Sequence, residues 1–182
     1  MGAVTYPHPE VQRFLHKHFV CHRVNEKDTS SETVRVLRAY RLLWSPGFIF
    51  LDHQRNELRR VVGYLTPAEF LAELNFALGL ARMLHSRFSE SHDLFRAAID
   101  ANPTGYVAPE ALYWAGIAAF RRDGRNKELL KKEWAELLER FPKSTWWTRA
   151  DVFDVDPLRC SEGGSSPWPK LASGWRANPH WL

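Results

Sequence analysis

The chain has 182 residues, and its 25 lysine and arginine residues against 21 aspartate and glutamate residues give a formal charge of +4. This length and the 45% apolar content fit one or two small globular domains. No apolar run approaches the roughly 20 residues of a membrane span, and the first residues lack the features of a signal peptide, so we expect a cytoplasmic protein without a membrane partner.

The first 80 residues alternate helical and strand patterns, which is typical of an α/β fold. Pro7 and Pro9 open a predicted short helix, and residues 19–24 are predicted to form a strand. Ser30 and Ser31 are candidate caps of a second helix. The sequence therefore predicts a helix, a strand and another helix before residue 44.

A continuous apolar run at residues 47–51 predicts a strand buried on both faces. Residues 57–63 are its natural antiparallel partner. Residues 66–69, Thr-Pro-Ala-Glu, form a capping box with proline at the first helical position, so a helix is predicted to begin there.

From Phe88 onward the patterns are helical only, with a second helix predicted to open at Pro109 and a third after Asn126. The chain matches itself at an offset of 39 residues, which aligns Phe95 with Trp134, Ala98 with Leu137 and Ile99 with Leu138. This self-match indicates a helical-hairpin repeat somewhat longer than the tetratricopeptide period.

The last 32 residues, 151–182, carry three tryptophans among prolines and glycines without periodicity, and we predict an irregular tail. Each tryptophan could bury a large apolar area against the folded part or a partner. A loosely ordered extension is the alternative.

Four of the eight histidines lie near the start of the chain: His8, His16, His18 and His22. Their spacing points the side chains to different faces, so no metal site is predicted. Cys21, expected to be buried in the first strand, and Cys160, in the tail, are far apart and lack resolving partners. We therefore expect inert thiols and no cofactor.

Two groups of arginines could form a nucleic-acid surface: Arg35, Arg38 and Arg41 on a predicted helix, and Arg59 with Arg60 on a predicted strand. No stacking aromatics or groove-reading motif accompany them, so a solvated face is favoured and no nucleic-acid partner is expected.

The most specific local pattern is Trp44-Ser45-Pro46, directly before the apolar strand. Proline cannot donate to a strand ladder, so it belongs at the strand start, and the residue before it is forced out of the helical region. A cis Ser45–Pro46 peptide bond is a natural way to make this corner.

The order of these motifs resembles the thioredoxin-like fold, and in particular thioredoxin-like proteins with a tetratricopeptide-like helical extension. The resemblance rests on segments between residues 3 and 147: 4–11, 19–20, 44–46, 49–52, 60–64, 108–116 and 134–146. It implies an α/β fold class, with an incomplete thioredoxin-like domain over residues 1–84. A tetratricopeptide-like segment over 85–150 and the irregular tail over 151–182 would follow.

Two departures from the resemblance matter. The family carries a strand and a CxxC pair just upstream of the segment that begins here at Val4, and this chain contains neither. Either the strands at 19–24 and 47–51 pair directly, or the natural start lies upstream of Met1, which we favour. In addition, residues 54–56, Gln-Arg-Asn, stand where the family has an Asp-Gly type turn.

The resemblance implies descent from thiol-disulfide oxidoreductases, but the chain has no dithiol and no catalytic residue is assigned. Trp44, Ser45 and Pro46 would remain as a site that binds a protein or peptide client by strand addition. The alternatives are an interaction adapter that works through residues 88–147, an active disulfide reductase if the true start lies upstream, and a redox-inert chaperone that uses the tail.

Overall fold

The computed structural model describes residues 1–25 and 27–150, and these contain seven helices and two strands. In chain order they are α1 (Pro9–His18), α2 (Ser31–Ala39), β1 (Gly47–Leu51), β2 (Glu57–Val62), α3 (Pro67–Leu84), α4 (Phe88–Ala101), α5 (Val107–Arg122), α6 (Lys127–Arg140) and α7 (Thr145–Ala150). A mixed α/β part therefore precedes an all-helical part, as the sequence predicts.

The two helices of the α/β part begin where local sequence signals place them. Proline occupies the first position of α1, where a missing N–H costs nothing. The Ser30 hydroxyl accepts a hydrogen bond from the Thr33 backbone N–H and caps α2. These starts are set by neighbouring residues, so the sequence alone identifies them.

The strand predicted at residues 19–24 is wrong. This segment pairs with no other described backbone, and Val20 is fully exposed. Phe19 packs its ring 6.1 Å from that of Phe50. A strand needs hydrogen-bonding partners as well as β propensity, and β1 does not supply them, so direct pairing of these two segments is also wrong.

The sheet consists of β1 and β2 in antiparallel register, with Gly47 opposite Val62 and Phe50 opposite Arg59. Phe48 and Phe50 point toward α1 and α3, and the Phe48 ring lies 5.0 Å from that of Phe70. The prediction that β1 is buried on both faces is wrong, because Phe50 is its only buried residue and the other four are partly exposed.

The turn between the strands is held by one aspartate. The Asp52 carboxylate accepts hydrogen bonds from the backbone N–H groups of Gln54 and Asn56, both at 2.8 Å, and from the Asn56 side chain. These bonds, that of the Asn56 side chain foremost, lower the pKa of Asp52. Arg55 adopts a positive φ of 68°, the conformation for which such turns usually use glycine.

Helix α3 joins the two parts of the chain. It begins at the predicted capping box, in which the Thr66 hydroxyl and the Glu69 carboxylate each accept a hydrogen bond from the other residue's backbone N–H. Phe70 and Leu74 pack in the core of the α/β part. Phe76, on the opposite side of the helix, packs in the core of the helical part. Whether the domains divide at residue 84 therefore stays a prediction.

Helices α4, α5 and α6 each pack against the helix that precedes them. The positions aligned by the 39-residue offset are buried in both helices for two of the three pairs, Phe95 with Trp134 and Ala98 with Leu137. Gly116 permits the close approach of α5 and α6, since a Cβ atom there would lie 2.6 Å from the Trp134 ring. The helix α7, which was not predicted, covers the end of this core.

None of the helices in the described residues combines the length and the apolar character required to cross a membrane. The tail prediction concerns residues 151–182, which lie outside the described residues.

Candidate functional site

The predicted corner, residues 44–46, lies on the surface at the start of β1. The Ser45–Pro46 peptide bond is cis. Trp44 is 72% exposed and Leu43 is 90% exposed, so two large apolar side chains stand side by side in solvent. Exposed apolar groups that adjoin one another are typical of a binding surface, whereas single ones are common on any protein.

The corner continues into a strand edge that has no partner among the described residues. The Gly63 backbone N–H donates to the Pro46 carbonyl at 2.8 Å, so these two residues form a hydrogen-bonded pair at the end of the β1–β2 ladder. This pair determines which residues of β1 direct their backbone groups toward β2. The backbone groups of Phe48 and Phe50 then point to β2, and those of Gly47, Ile49 and Leu51 point to the other side. Such an unpaired edge is a template for another extended chain.

Helix α2 leads into the corner through a tight C-terminal turn. The Leu42 N–H donates to the Leu37 carbonyl, and the Arg41 N–H donates to the Arg38 carbonyl. This is the Schellman arrangement, in which the residue after the cap adopts a left-handed conformation. Here that residue is Arg41, with φ of 50°, where glycine is the usual choice. The turn directs residues 43–46 across the end of the sheet.

The first cysteine differs from the sequence prediction. Cys21 is exposed, not buried, because residues 19–24 do not enter a sheet. Its sulfur is nevertheless partly desolvated, and this raises the pKa of the Cys21 thiol. A raised pKa lowers the thiolate fraction at neutral pH, opposite to what a nucleophilic cysteine requires. Cys160 lies outside the described residues.

The described histidines, cysteines and carboxylates do not form any group of three or more that could hold a metal ion. Of the four N-terminal histidines, His16, His18 and His22 are exposed on or just after α1.

A cluster of buried charges was missed by the sequence reasoning, which placed Arg59 on a solvated face. The Arg59 side chain is 14% exposed and the Glu73 side chain is 0% exposed. Arg59 forms a bidentate pair with Glu73, whose second contact is 3.1 Å, and its Nη1 donates to Glu110 at 3.0 Å. The Tyr106 hydroxyl donates to Glu73 at 2.7 Å. This buried cluster joins β2, α3 and α5.

The charges in this cluster hold one another in place. Burial disfavours the charged form of Arg59, but the two carboxylates raise its pKa above the ordinary value. Burial raises the pKa of Glu110, with Arg59 acting in the opposite direction. A signal was present in the sequence: Arg59 alternates with Val61 on the inward face of β2, and Glu73 lies on the apolar stripe of α3.

A family model described as a thioredoxin-like domain matches residues 2–78. This part of the chain has a thioredoxin-like fold. The match ends within α3, so α4 to α7 form a helical region that follows the thioredoxin-like domain. Neither the curated proteins nor the solved structures that were searched gave a match to the chain.

Proposed function

We propose that this chain binds an extended polypeptide segment at the corner formed by Trp44, Ser45 and Pro46. The bound segment adds a strand to the open edge of β1. The observation that carries this proposal is the continuity of the two features, since an exposed apolar corner runs directly into a strand edge that lacks a described partner.

Each feature supplies a different part of the binding energy. The backbone groups of Gly47, Ile49 and Leu51 offer hydrogen bonds that do not depend on the side chains of the client. Trp44 and Leu43 offer apolar area, and large exposed aromatics are the residues most often found at interface hot spots. The site therefore favours an extended client with apolar side chains near the corner.

The proposal assigns binding, and no thiol–disulfide exchange, to this chain. It rests on the absence of a CxxC pair from the sequence and on the raised pKa of Cys21. No residue is given a catalytic role.

The test uses a fluorescein-labelled extended heptapeptide of alternating valine and threonine, followed by fluorescence anisotropy. A second peptide carries N-methyl groups at alternate amides, which removes the donors that strand addition needs. We expect the first peptide to bind and the second to bind weakly. Equal binding of the two peptides would contradict strand addition.

The matched variants are Trp44→Ala at the corner and Leu84→Ala at the far end of α3, where an apolar side chain is also exposed. We expect Trp44→Ala to weaken peptide binding roughly 5- to 30-fold, the range of a 1–2 kcal/mol hot spot. We expect Leu84→Ala to leave it unchanged. Turnover of insulin disulfides by the 182-residue chain would contradict a function restricted to binding.

A second candidate, an adapter that works through the helical region, is favoured by the core that α4 to α7 form with part of α3 and by its repeated buried positions. It requires that partner binding depend on Trp134, which is buried between α5 and α6. If binding requires Trp44 and Pro46 and survives disruption of Trp134, this candidate fails.

A further inference from the structure

The helix that leads into the corner carries a concentration of positive charge. Helix α2 has one acidic residue, Glu32 in its first turn. From residue 33 to residue 51 the chain has three arginines, Arg35, Arg38 and Arg41, and no acidic residue. All three side chains are exposed, and none forms an ion pair with a described residue. The sequence reasoning assigned them to a solvated face, and the binding of an uncharged peptide does not use them.

This charge is combined with apolar surface. On the surface of α2, Val34 and Ala39 lie beside Arg35 and Arg38. The next turn of chain carries Arg41 and then the exposed Leu43 and Trp44. Apolar and cationic groups are thus interleaved from α2 to the start of β1.

The backbone at Arg41 adds a second observation. Its φ of 50° is the left-handed conformation, in which a side chain is disfavoured and glycine is preferred. Glycine would therefore terminate α2 at least as well. The same holds for Arg125, which has φ of 67° in the turn between α5 and α6. The two positions offer a matched pair of substitutions, one beside the corner and one far from it.

We propose that the partner bound at the corner is an acidic extended segment of another protein, in which aspartate or glutamate residues alternate with apolar residues. This inference rests on the proposed function and names the chemistry of the client. Side chains of an added strand alternate between two faces. Since Arg41 precedes Trp44 by three residues, acidic side chains of the client would pair with the arginines while its apolar ones contact Trp44 and Leu43. Charge complementarity of this kind selects among partners and speeds association.

The test compares three labelled octapeptides that alternate valine with aspartate, asparagine or lysine, by anisotropy with the full chain. We expect the aspartate peptide to bind most tightly and to lose this advantage in high salt, because exposed charges are screened. Equal affinity of the aspartate and asparagine peptides would overturn the acidic client and leave the proposed function standing. Failure of all three peptides, and of the valine–threonine peptide, would overturn both.

Two sets of variants assign the effect to these arginines. The double variant Arg35→Gln with Arg38→Gln should bind the aspartate peptide about 2- to 30-fold more weakly, as expected for the loss of two exposed ion pairs of 0.2–1 kcal/mol each. Its affinity for the asparagine peptide should not change. Equal losses for the two peptides would overturn the proposal, since a general structural defect does not distinguish them.

The matched pair separates charge from backbone effects. Arg41→Gly and Arg125→Gly both place glycine where the backbone is left-handed, which removes the steric cost of a side chain there. Neither variant should therefore lower the urea midpoint of unfolding. Arg41→Gly should selectively weaken the aspartate peptide, while Arg125→Gly should not. Equal affinities of the two variants for the aspartate peptide would overturn the role of Arg41 in binding the acidic client. A dimer in light scattering that the aspartate peptide fails to dissociate would show a second copy at the corner and would also overturn the proposal.

Discussion

At the scale of single residues, the Glu73 carboxylate depends on its hydrogen-bonding partners, because its side chain is completely buried. A buried charge is tolerated only when it is paired and hydrogen-bonded, and Glu73 meets this through Arg59 and Tyr106. The guanidinium carbon of Arg59 also lies 4.3 Å from the centre of the Phe76 ring, so an aromatic face covers the remaining side of the cation.

We predict that Glu73→Ala lowers the free energy of unfolding by about 3–5 kcal/mol, because it leaves Arg59 buried with one carboxylate fewer. Urea denaturation followed by far-ultraviolet circular dichroism measures this. The control is Glu57→Ala, which removes the partner of Arg60 at 2.6 Å on the exposed surface of β2. We expect the control to change stability little, since surface pairs contribute little. Equal losses in the two variants would show that burial is not what makes this cluster important.

At the scale of elements, polar side chains connect two helices that flank α5. His92 and Arg96 of α4 both contact Glu133 of α6, at 3.1 and 3.3 Å, and Arg96 also donates to Glu136 at 2.6 Å. The hydrogen bond to Glu133 raises the pKa of His92 against the effect of burial. Although burial acts in the opposite direction, His92 and Arg96 lower the pKa of Glu133.

These shifts predict how stability depends on pH. The His92 contribution is complete below its ordinary pKa of 6.5 and is lost as the pH rises through the higher folded value. The Glu133 contribution is present above its ordinary pKa of 4.5 and is lost as the pH falls through the lower folded value. We therefore expect the pair to contribute most between about pH 4.5 and 6.5.

The measurement is urea unfolding from below pH 4.5 to well above pH 6.5, for the natural chain and for His92→Gln. In the natural chain the free energy of unfolding should decline as the pH rises above 6.5, and the His92→Gln variant should lack this decline. His16→Gln, a change at an exposed histidine of α1, is the control and should keep that decline. A parallel pH profile for His92→Gln and the natural chain would contradict the role of the pair.

Elements that depend on local signals could be predicted from the sequence, and those that depend on distant partners could not. The capping box at Thr66 and Glu69 acts within four residues, so the start of α3 was predicted correctly. Residues 19–24 have β propensity but no neighbouring backbone to pair with, and propensity does not reveal this. Trp44, Ser45 and Pro46 lie directly before β1, as the sequence predicts, and their role as a binding site stays a prediction. The edge of β1 that has no described partner could not be predicted, because it emerges only from the register.

At the scale of the whole molecule, α3 is the structural link between the thioredoxin-like domain and the helical region. Its Phe76 ring lies 5.2 Å from that of Phe95 in α4. The Ser91 hydroxyl of α4 donates to the Gly79 carbonyl at 2.9 Å. A Cβ atom at Gly79 would lie 2.7 Å from Phe95, so the two helices are packed as closely as their side chains allow. The core of the helical region therefore includes part of the domain that precedes it.

This sharing predicts the behaviour of isolated fragments. A fragment of residues 85–150 lacks Phe76 and Ala72, both of which are fully buried in the core of the helical region. A fragment of residues 67–150 retains them. Loss of one buried phenylalanine costs about 3–5 kcal/mol, a large part of the stability of a small domain. We expect the longer fragment to have the higher helical content per residue by circular dichroism and the higher urea midpoint. Equal helicity and equal midpoints would mean that the helical region folds without α3, and that the chain divides at residue 84 as the sequence predicts.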